Sequence, residues 1–344
     1  MPTELGMVLR LWDKLRLRMR RKRLRSRAFL KRRELRLHAD HTASITRSAV
    51  LLFSVVRNER IRLPYFLEYY RGIGIEHFLF VDNNSDDGTT DYLAEQGDVS
   101  LWRTSHGYQR SRFGVDWLNW LLRRYGHGHW TLTVDVDEFF VFPFCDTRPV
   151  QALTDWLDAY AIRSFPAMIL DMYPRGPISG RTYAEGQNPM EIADHFDSGN
   201  YMISRNPLYG NLWIQGGPRA RVFFAESPLH APSLNKIPLV RWHRSYVYVN
   251  STHMLLPRGL NLAYDSKGGE KAAGCLLHPK FLSTFSDKVV EELERRQHFA
   301  ASQEYLAYAA TDPRHIDLWC KWSEQYINWR QLEILGLMSK GNWA

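Results

Sequence analysis

The chain has 344 residues, 44% of them hydrophobic, enough for a substantial core in one large domain or two smaller ones, and this predicts a globular protein. Its formal charge of +8 is concentrated: residues 10 to 36 hold 14 Lys and Arg against Asp13 and Glu34, a net of +12, which leaves the rest mildly acidic at −4. Three cysteines (Cys145, Cys275, Cys320) without metal-ligand spacing, the lack of an apolar run of membrane-span length, and an N-terminus interrupted by Arg10, Asp13 and Lys14 argue against a disulfide scaffold, a membrane span and a secretory signal; the expectation is a cytoplasmic protein with free thiols.

Residues 1–40 read as a basic unit. Val8, Leu11, Trp12, Leu15 and Met19 recur at helical spacing with Arg10, Lys14, Arg16 and Arg18 mostly between them. That pattern predicts an interfacial helix, apolar side chains in lipid and basic ones on anionic headgroups, so that residues 8–36 would hold the protein peripherally on the inner face of the cell membrane. A disordered basic tail and a nucleic-acid-binding arm are the competing readings, and the second is disfavoured because the body has no complementary basic motif.

After a polar linker at residues 38–47, the main domain is expected over residues 48–285. Ala49 to Val56 is an apolar, β-branched run suited to a buried parallel strand, and Arg57-Asn58-Glu59 ends it. Pro64 suits the first turn of a helix carrying Phe66, Leu67 and Tyr70, stopped by Gly72 and Gly74. A second buried strand, His77 to Val81, enters the acidic loop Asp82 to Gly88, followed by a helix. A short strand at Val99 to Trp102, an amphipathic helix over residues 110 to 125 and a strand running into Asp135 come next. This order predicts an α/β fold with a mostly parallel sheet. Between residues 141 and 250 the pattern is mixed, with short strands at Ala167 to Leu170 and Val247 to Val249. A C-terminal helical segment, residues 286–344, is expected to hold two helices, Asp287 to Ala309 and Ile316 to Met338. The second would carry Trp319, Trp322, Tyr326 and Trp329 as an aromatic stripe, most simply explained by core packing, with membrane contact and an oligomer seam as the other readings.

The most informative feature is Asp135-Val136-Asp137 at the end of Trp130 to Phe140. On an extended strand the two acids point to one side while Leu132, Val134 and Val136 point to the other. Two like charges brought together call for a cation, and Mg²⁺ or Mn²⁺ carrying a polyphosphate matches carboxylate oxygens. Three successive strand ends are thus polar or acidic, where open α/β sheets bind ligands: Arg57-Asn58-Glu59, Asp82-Asn83-Asn84 and Asp135-Val136-Asp137.

The succession Ser54-Val-Val-Arg-Asn-Glu59, Phe80-Val-Asp-Asn-Asn-Ser-Asp-Asp-Gly-Thr89 and Val134-Asp-Val-Asp-Glu138 resembles the nucleotide-sugar-binding half of family 2-like glycosyltransferases of the GT-A fold. Later segments, Gly216 to Arg221, Asn235 to Trp242, Ser251 to Met254 and Leu276 to Phe281, are similar to motifs of the bacterial branch close to the family 92 glycosyltransferases. The resemblance implies a GT-A (Rossmann-like) sheet flanked by helices, a Mn²⁺ or Mg²⁺ cofactor, a nucleotide-sugar donor (UDP-linked) and a glycan or lipid-linked acceptor in cell-envelope synthesis, with inversion at the transferred sugar. It implies that Asp82 accepts from the nucleotide base, with Asn58 and Glu59 in the same pocket. Asp135 would meet the ribose or a metal-bound water, and Asp137 the metal.

A late histidine usually adds a metal or phosphate contact in this family. His278, followed by Lys280, is the first choice; His253 competes, and His243 reads as structural. Arg219 and Arg221 after two glycines could reach phosphate or a glycan hydroxyl, although a surface turn explains them as well, and Lys236 and Arg241 stand similarly. For the general base that inversion requires, Asp171 leads, with Glu138, Glu185 and Asp197 open. Two further readings remain: a sugar nucleotidyltransferase, weakened by the lack of a Gly-rich basic loop, and a non-catalytic protein working through its basic N-terminus.

Overall fold

The computed structural model describes residues 4–264, 271–295, 303–311 and 315–344; the side chains of residues 4–10 lie outside that description, and the expectations for Val8 and for a helix through residues 296–302 fall outside it too. Helix α1 (Glu4–Lys31) leads into the short strand β1 (Arg36–Ala39). The predicted βαβ unit follows as β2 (Leu51–Val56), α2 (Leu63–Gly72) and β3 (His77–Asp82), then α3 (Thr89–Ala94) and β4 (Val99–Arg103). In α2 the buried residues are Leu63, Phe66, Leu67 and Tyr70, one apolar stripe at helical spacing, and Gly74 at φ +100° turns the chain away from the helix end.

Helix α4 (Val115–Arg124) starts five residues later than its amphipathic pattern suggests, because Arg112, Phe113 and Gly114 all have positive φ and form a turn in which the Gly114 N–H donates to Ser111 Oγ. Next come β5 (Trp130–Thr133), β6 (Phe139–Val141), α5 (Val150–Ala159) and β7 (Ser164–Asp171). Short strands β8 (His195–Asp197), β9 (Tyr201–Arg205) and β10 (Leu212–Gly216) precede β11 (Asn235–Arg241), β12 (Val247–Asn250), β13 (Met254–Leu256) and β14 (Gly274–His278). The chain closes with α6 (Phe285–Arg295), α7 (Gln303–Ala309), β15 (Ser323–Gln325) and α8 (Trp329–Ile334).

Nine strands form one sheet in the order β1-β4-β3-β2-β5-β11-β7-β14-β6. β2, β3, β4, β5, β7 and β14 run one way, and β1, β6 and β11 run against them. The result is a mixed α/β fold whose large sheet, mostly of one direction, is flanked by helices, compatible with a Rossmann-like arrangement. The central strands bury nearly every residue, as expected of a sheet covered on both faces. One face packs α2 and α5 around Phe66, Tyr70, Phe80 and Leu153; the other packs α4 around Trp117, Leu121 and Trp242.

Both terminal segments pack against the main domain. The N-terminal segment is not detached: Leu37 of β1 stands opposite Trp102 in the sheet, and Leu17, Leu24 and Ala28 of α1 are buried against the body. The C-terminal segment is likewise integral, since Trp329, Leu332, Met338 and Trp343 belong to the main core. Nor is there one helix from Ile316 to Met338. β15 pairs with β8 (Ser323 opposite Asp197), and only Trp329–Ile334 is α-helical there, its start capped by the Asn328 side chain accepting from the Arg330 and Gln331 N–H groups. The aromatic stripe is therefore divided, with Trp319 and Trp322 exposed and Trp329 buried against Phe144.

Candidate functional site at the carboxyl edge of the sheet

Parallel strands deliver their carboxyl ends to one edge, and here β2, β3, β5, β7 and β14 bring Asn58 and Glu59, Asp82, Asp135 and Asp137, Asp171 and His278 to it. β11 runs the other way, so its first residues, Asn235 and Lys236, arrive at the same edge between β5 and β7.

The Asp135/Asp137 pair is not on a strand. β5 stops at Thr133, and a turn follows in which the Glu138 N–H donates to the Asp135 carbonyl (3.0 Å) while the Asp135 N–H donates to Glu138 Oε2 (3.1 Å). Val134 and Val136 are buried as the alternation predicted, but the two aspartates diverge in environment. Lys236 Nζ donates to Asp135 Oδ2 (2.8 Å) and to Glu138, whose side chain is 2% exposed against 57% for Asp135. Burial alone would discharge Lys236, yet Asp135 and Glu138 outweigh it and raise the ammonium above its ordinary range. Burial also raises Glu138, against the pull of Lys236.

Asp137 faces His278 instead. β14 pairs with β7 so that His278 stands beside Asp171, and the ring is held between two carboxylates: Nδ1 is 2.7 Å from Asp171 Oδ1 and Nε2 is 3.2 Å from Asp137 Oδ2. Arg219 Nε donates to the other Asp171 oxygen at 2.7 Å. Burial would raise Asp171, but Arg219 and His278 hold it down at about 2; burial would likewise raise Asp137, and His278 with Arg62 keeps it well below the usual carboxylate range. For His278 burial opposes the imidazolium, and Asp137 and Asp171 overcome it, so the ring titrates above its ordinary value.

Asp171 with both oxygens occupied is not a free general base. Its role is to orient the imidazole. Nor do the other three acids offer a free base: Glu138 is bound to Lys236, Asp197 is buried and accepts from Arg221 and the Tyr173 hydroxyl, and Glu185 pairs with Arg60 at 2.7 Å. His253 lies nearby, its Nδ1 2.5 Å from the Asn235 carbonyl, and burial with Lys236 lowers it to about 4. His243 is on the surface against Ser245.

Among the described residues no group of three or more His, Cys, Asp and Glu side chains is arranged to hold a metal ion. Asp137 and His278 supply the donor types that such an ion takes, a carboxylate and an imidazole, and are the residues that would hold one. The His278 Nδ1 is fixed by the Asp171 carboxylate, as it is in metal-ligating histidines, and its Nε2 is turned to Asp137 Oδ2, so an ion held by these two donors would take the place of their direct contact. Asp135, held by Lys236, is not part of that set.

On the β2 and β3 side the polar residues organise one another. Asp82 is fully buried; it accepts from the Ser85 N–H (3.1 Å), the Ser85 hydroxyl (2.5 Å) and the Thr90 hydroxyl (2.8 Å), with Arg103 at 3.4 Å. Asn58, at φ 51°, accepts from the Asp86 N–H and donates its backbone N–H to Ser85. Glu59 accepts from Arg62 (2.9 Å) and from Lys288 of α6 (3.0 Å). Lys280 stands 3.6 Å from Glu304 of α7 and over the Tyr305 and Tyr308 rings.

Arg219 and Arg221 are not surface arginines on a turn. They lie in a wide helical turn, Arg219–Phe223, where Arg219 is buried on Asp171 and Arg221 binds Asp197. Sequence reasoning missed Arg62, Lys288 and the Lys236–Glu138 pair. A lysine inside the otherwise apolar run Lys236-Ile-Pro-Leu-Val240 was the available signal, because buried strand positions take a cation only with a partner. The chain was compared with models of known protein families and with curated proteins, and neither comparison finds a match.

Proposed function

We propose that the protein is a metal-dependent glycosyltransferase that moves a sugar from a nucleotide-linked donor, UDP-linked by preference, to a glycan or lipid-linked acceptor with inversion. The observation that carries this reading is the meeting, at one sheet edge, of the acidic β3 loop, the Asp135 turn and a carboxylate-oriented His278 facing Asp137. The GT-A fold and the place of this chain near the family 92 enzymes belong to the same proposal and rest on the motifs. Asp137 and His278 would hold Mn²⁺ or Mg²⁺, which supplies charge compensation for the departing nucleoside diphosphate. Asp171 keeps the His278 ring in register, and Arg219 keeps Asp171 ionised. Lys236 neutralises Asp135 and so lowers the negative potential that an incoming diphosphate meets. Asn58, Glu59 and Asp82 shape the nucleoside side, and Lys280 the phosphate side.

The test uses the purified chain, a panel of nucleotide sugars and Mn²⁺, and follows nucleoside diphosphate release together with donor binding by calorimetry. At least one donor is expected to bind in a Mn²⁺-dependent way, and Asp137→Ala to weaken that binding and reduce release by about a hundredfold or more. Absence of binding by every donor, or a donor affinity untouched by Asp137→Ala, sinks the reading.

A further inference from the structure

α1 presents two apolar faces and only one of them is covered. Leu17, Leu24 and Ala28 pack against the body, joined by the Arg27 to Asp116 ion pair at 2.6 Å, so the helix is held in a fixed orientation. On roughly the opposite side, Leu11, Leu15 and Met19 follow one another four residues apart with Trp12 beside them. These four are 58%, 47%, 58% and 65% exposed, in a helix whose interior positions would otherwise favour polar residues toward water.

The charge around this stripe decides what covers it. Helical geometry puts Arg18 along one border of the stripe and Arg16 and Arg23 along the other, with Lys22 in line with the stripe one turn past Met19, and among the described side chains no acidic residue lies on either border. A polyanion such as nucleic acid would be met by the basic rows but would leave Trp12 and the aliphatic side chains without a partner. A second copy of the chain would cover the apolar stripe but bring like-charged borders together. An anionic bilayer surface satisfies both features at once, because its acyl boundary takes the stripe and its headgroups take the arginines and lysine. No described helix is long and apolar enough to cross a membrane, so the contact is with one surface.

We infer that α1 docks this protein on an anionic membrane surface through Leu11, Trp12, Leu15 and Met19, with the body attached through the other face of the same helix. The helix also ends close to the candidate site. Glu34, just after it, is 3.9 Å from His106, whose carbonyl accepts from the side chain of Asn83, next to Asp82.

Co-sedimentation of the full-length protein with phosphatidylcholine vesicles, with and without phosphatidylglycerol, tests this. Binding is expected only with the anionic lipid and to weaken with salt. Trp12→Ala/Leu15→Ala should reduce it about tenfold or more, and Arg18→Gln/Lys22→Gln about fivefold per charge. All four positions are exposed or solvent-facing, and unchanged circular dichroism and thermal unfolding establish that the variants fold. Wild-type vesicle binding by Trp12→Ala/Leu15→Ala overturns the inference. So does a stripe variant that keeps vesicle binding but turns a dimer into a monomer, which marks a seam between copies, or one that loses affinity for an oligonucleotide instead. The outcome is independent of whether any nucleotide sugar is turned over.

Discussion

At the scale of single residues, the candidate site is a balance of buried charges in which each group depends on its neighbour. Lys236 is the clearest case. Its ammonium serves one solvated carboxylate, Asp135, and one buried carboxylate, Glu138. Removing the cation strands only the second, because Asp135 can be hydrated while Glu138 cannot. Lys236→Met is therefore expected to destabilise the fold by about 3–5 kcal/mol, and Lys236→Met/Glu138→Leu to recover much of that loss by removing the stranded carboxylate. Urea denaturation of the two single variants and the double variant measures the coupling; additive losses would mean that Lys236 supports the turn by packing and not by charge. The acids Asp82, Asp135 and Asp137 were visible in the sequence as residue types at strand ends. Their partners were not, because Lys236 is 98 residues from Glu138 and His278 is 141 residues from Asp137 in the chain, and no local pattern encodes a pairing at that separation.

At the scale of elements, local signals worked where one segment could satisfy itself. The stripe of α2, its proline near the start and the apolar runs of β2 and β3 are each decided within about ten residues, and all three elements stand where expected. Reading failed where a distant strand competed, as when the helical aromatic spacing after Ile316 yielded to pairing of β15 with β8; the extended reading of Asp135 failed locally, to a turn closed by Glu138 three residues on. β14 shows how tightly such an element can be set. Gly274 faces β6, and a Cβ there would lie 2.5 Å from the Val141 carbonyl and about 3.1 Å from the Phe165 ring. Backbone must move to admit it, and the strand that moves carries His278 four residues on. Gly274→Ala is expected to cost about 1–3 kcal/mol by overpacking and to lower the thermal unfolding midpoint by several degrees. An unchanged midpoint would show that β6, a three-residue edge strand, yields without loss.

At the scale of the whole molecule, the sheet order makes the site: two parallel blocks, β4-β3-β2-β5 and β7-β14, are joined by the reversed strand β11, so acids from the first block meet the histidine of the second across Lys236. The C-terminal helices then lie across one side of it. Lys288 of α6 donates to Glu59 Oε1 (3.0 Å) and to the Arg57 carbonyl (3.3 Å), and Glu291 accepts from Asn58 Nδ2 (3.2 Å) with Arg57 Nε at 3.4 Å. Those are the residues assigned above to the nucleoside side, so α6 and a bound nucleoside would draw on the same groups. An ion pair with access to solvent contributes about 1 kcal/mol or less, and Arg57 and Glu291 are 24% and 26% exposed, which sets the scale of the competition. Glu291→Ala is accordingly expected to tighten donor binding by up to about fivefold, and donor with Mn²⁺ to speed amide hydrogen exchange over residues 285–295 of the unsubstituted protein. Slower exchange there on donor binding, with weaker binding by Glu291→Ala, would reverse the assignment: α6 would then close on the nucleoside, and Glu291 would be one of its contacts.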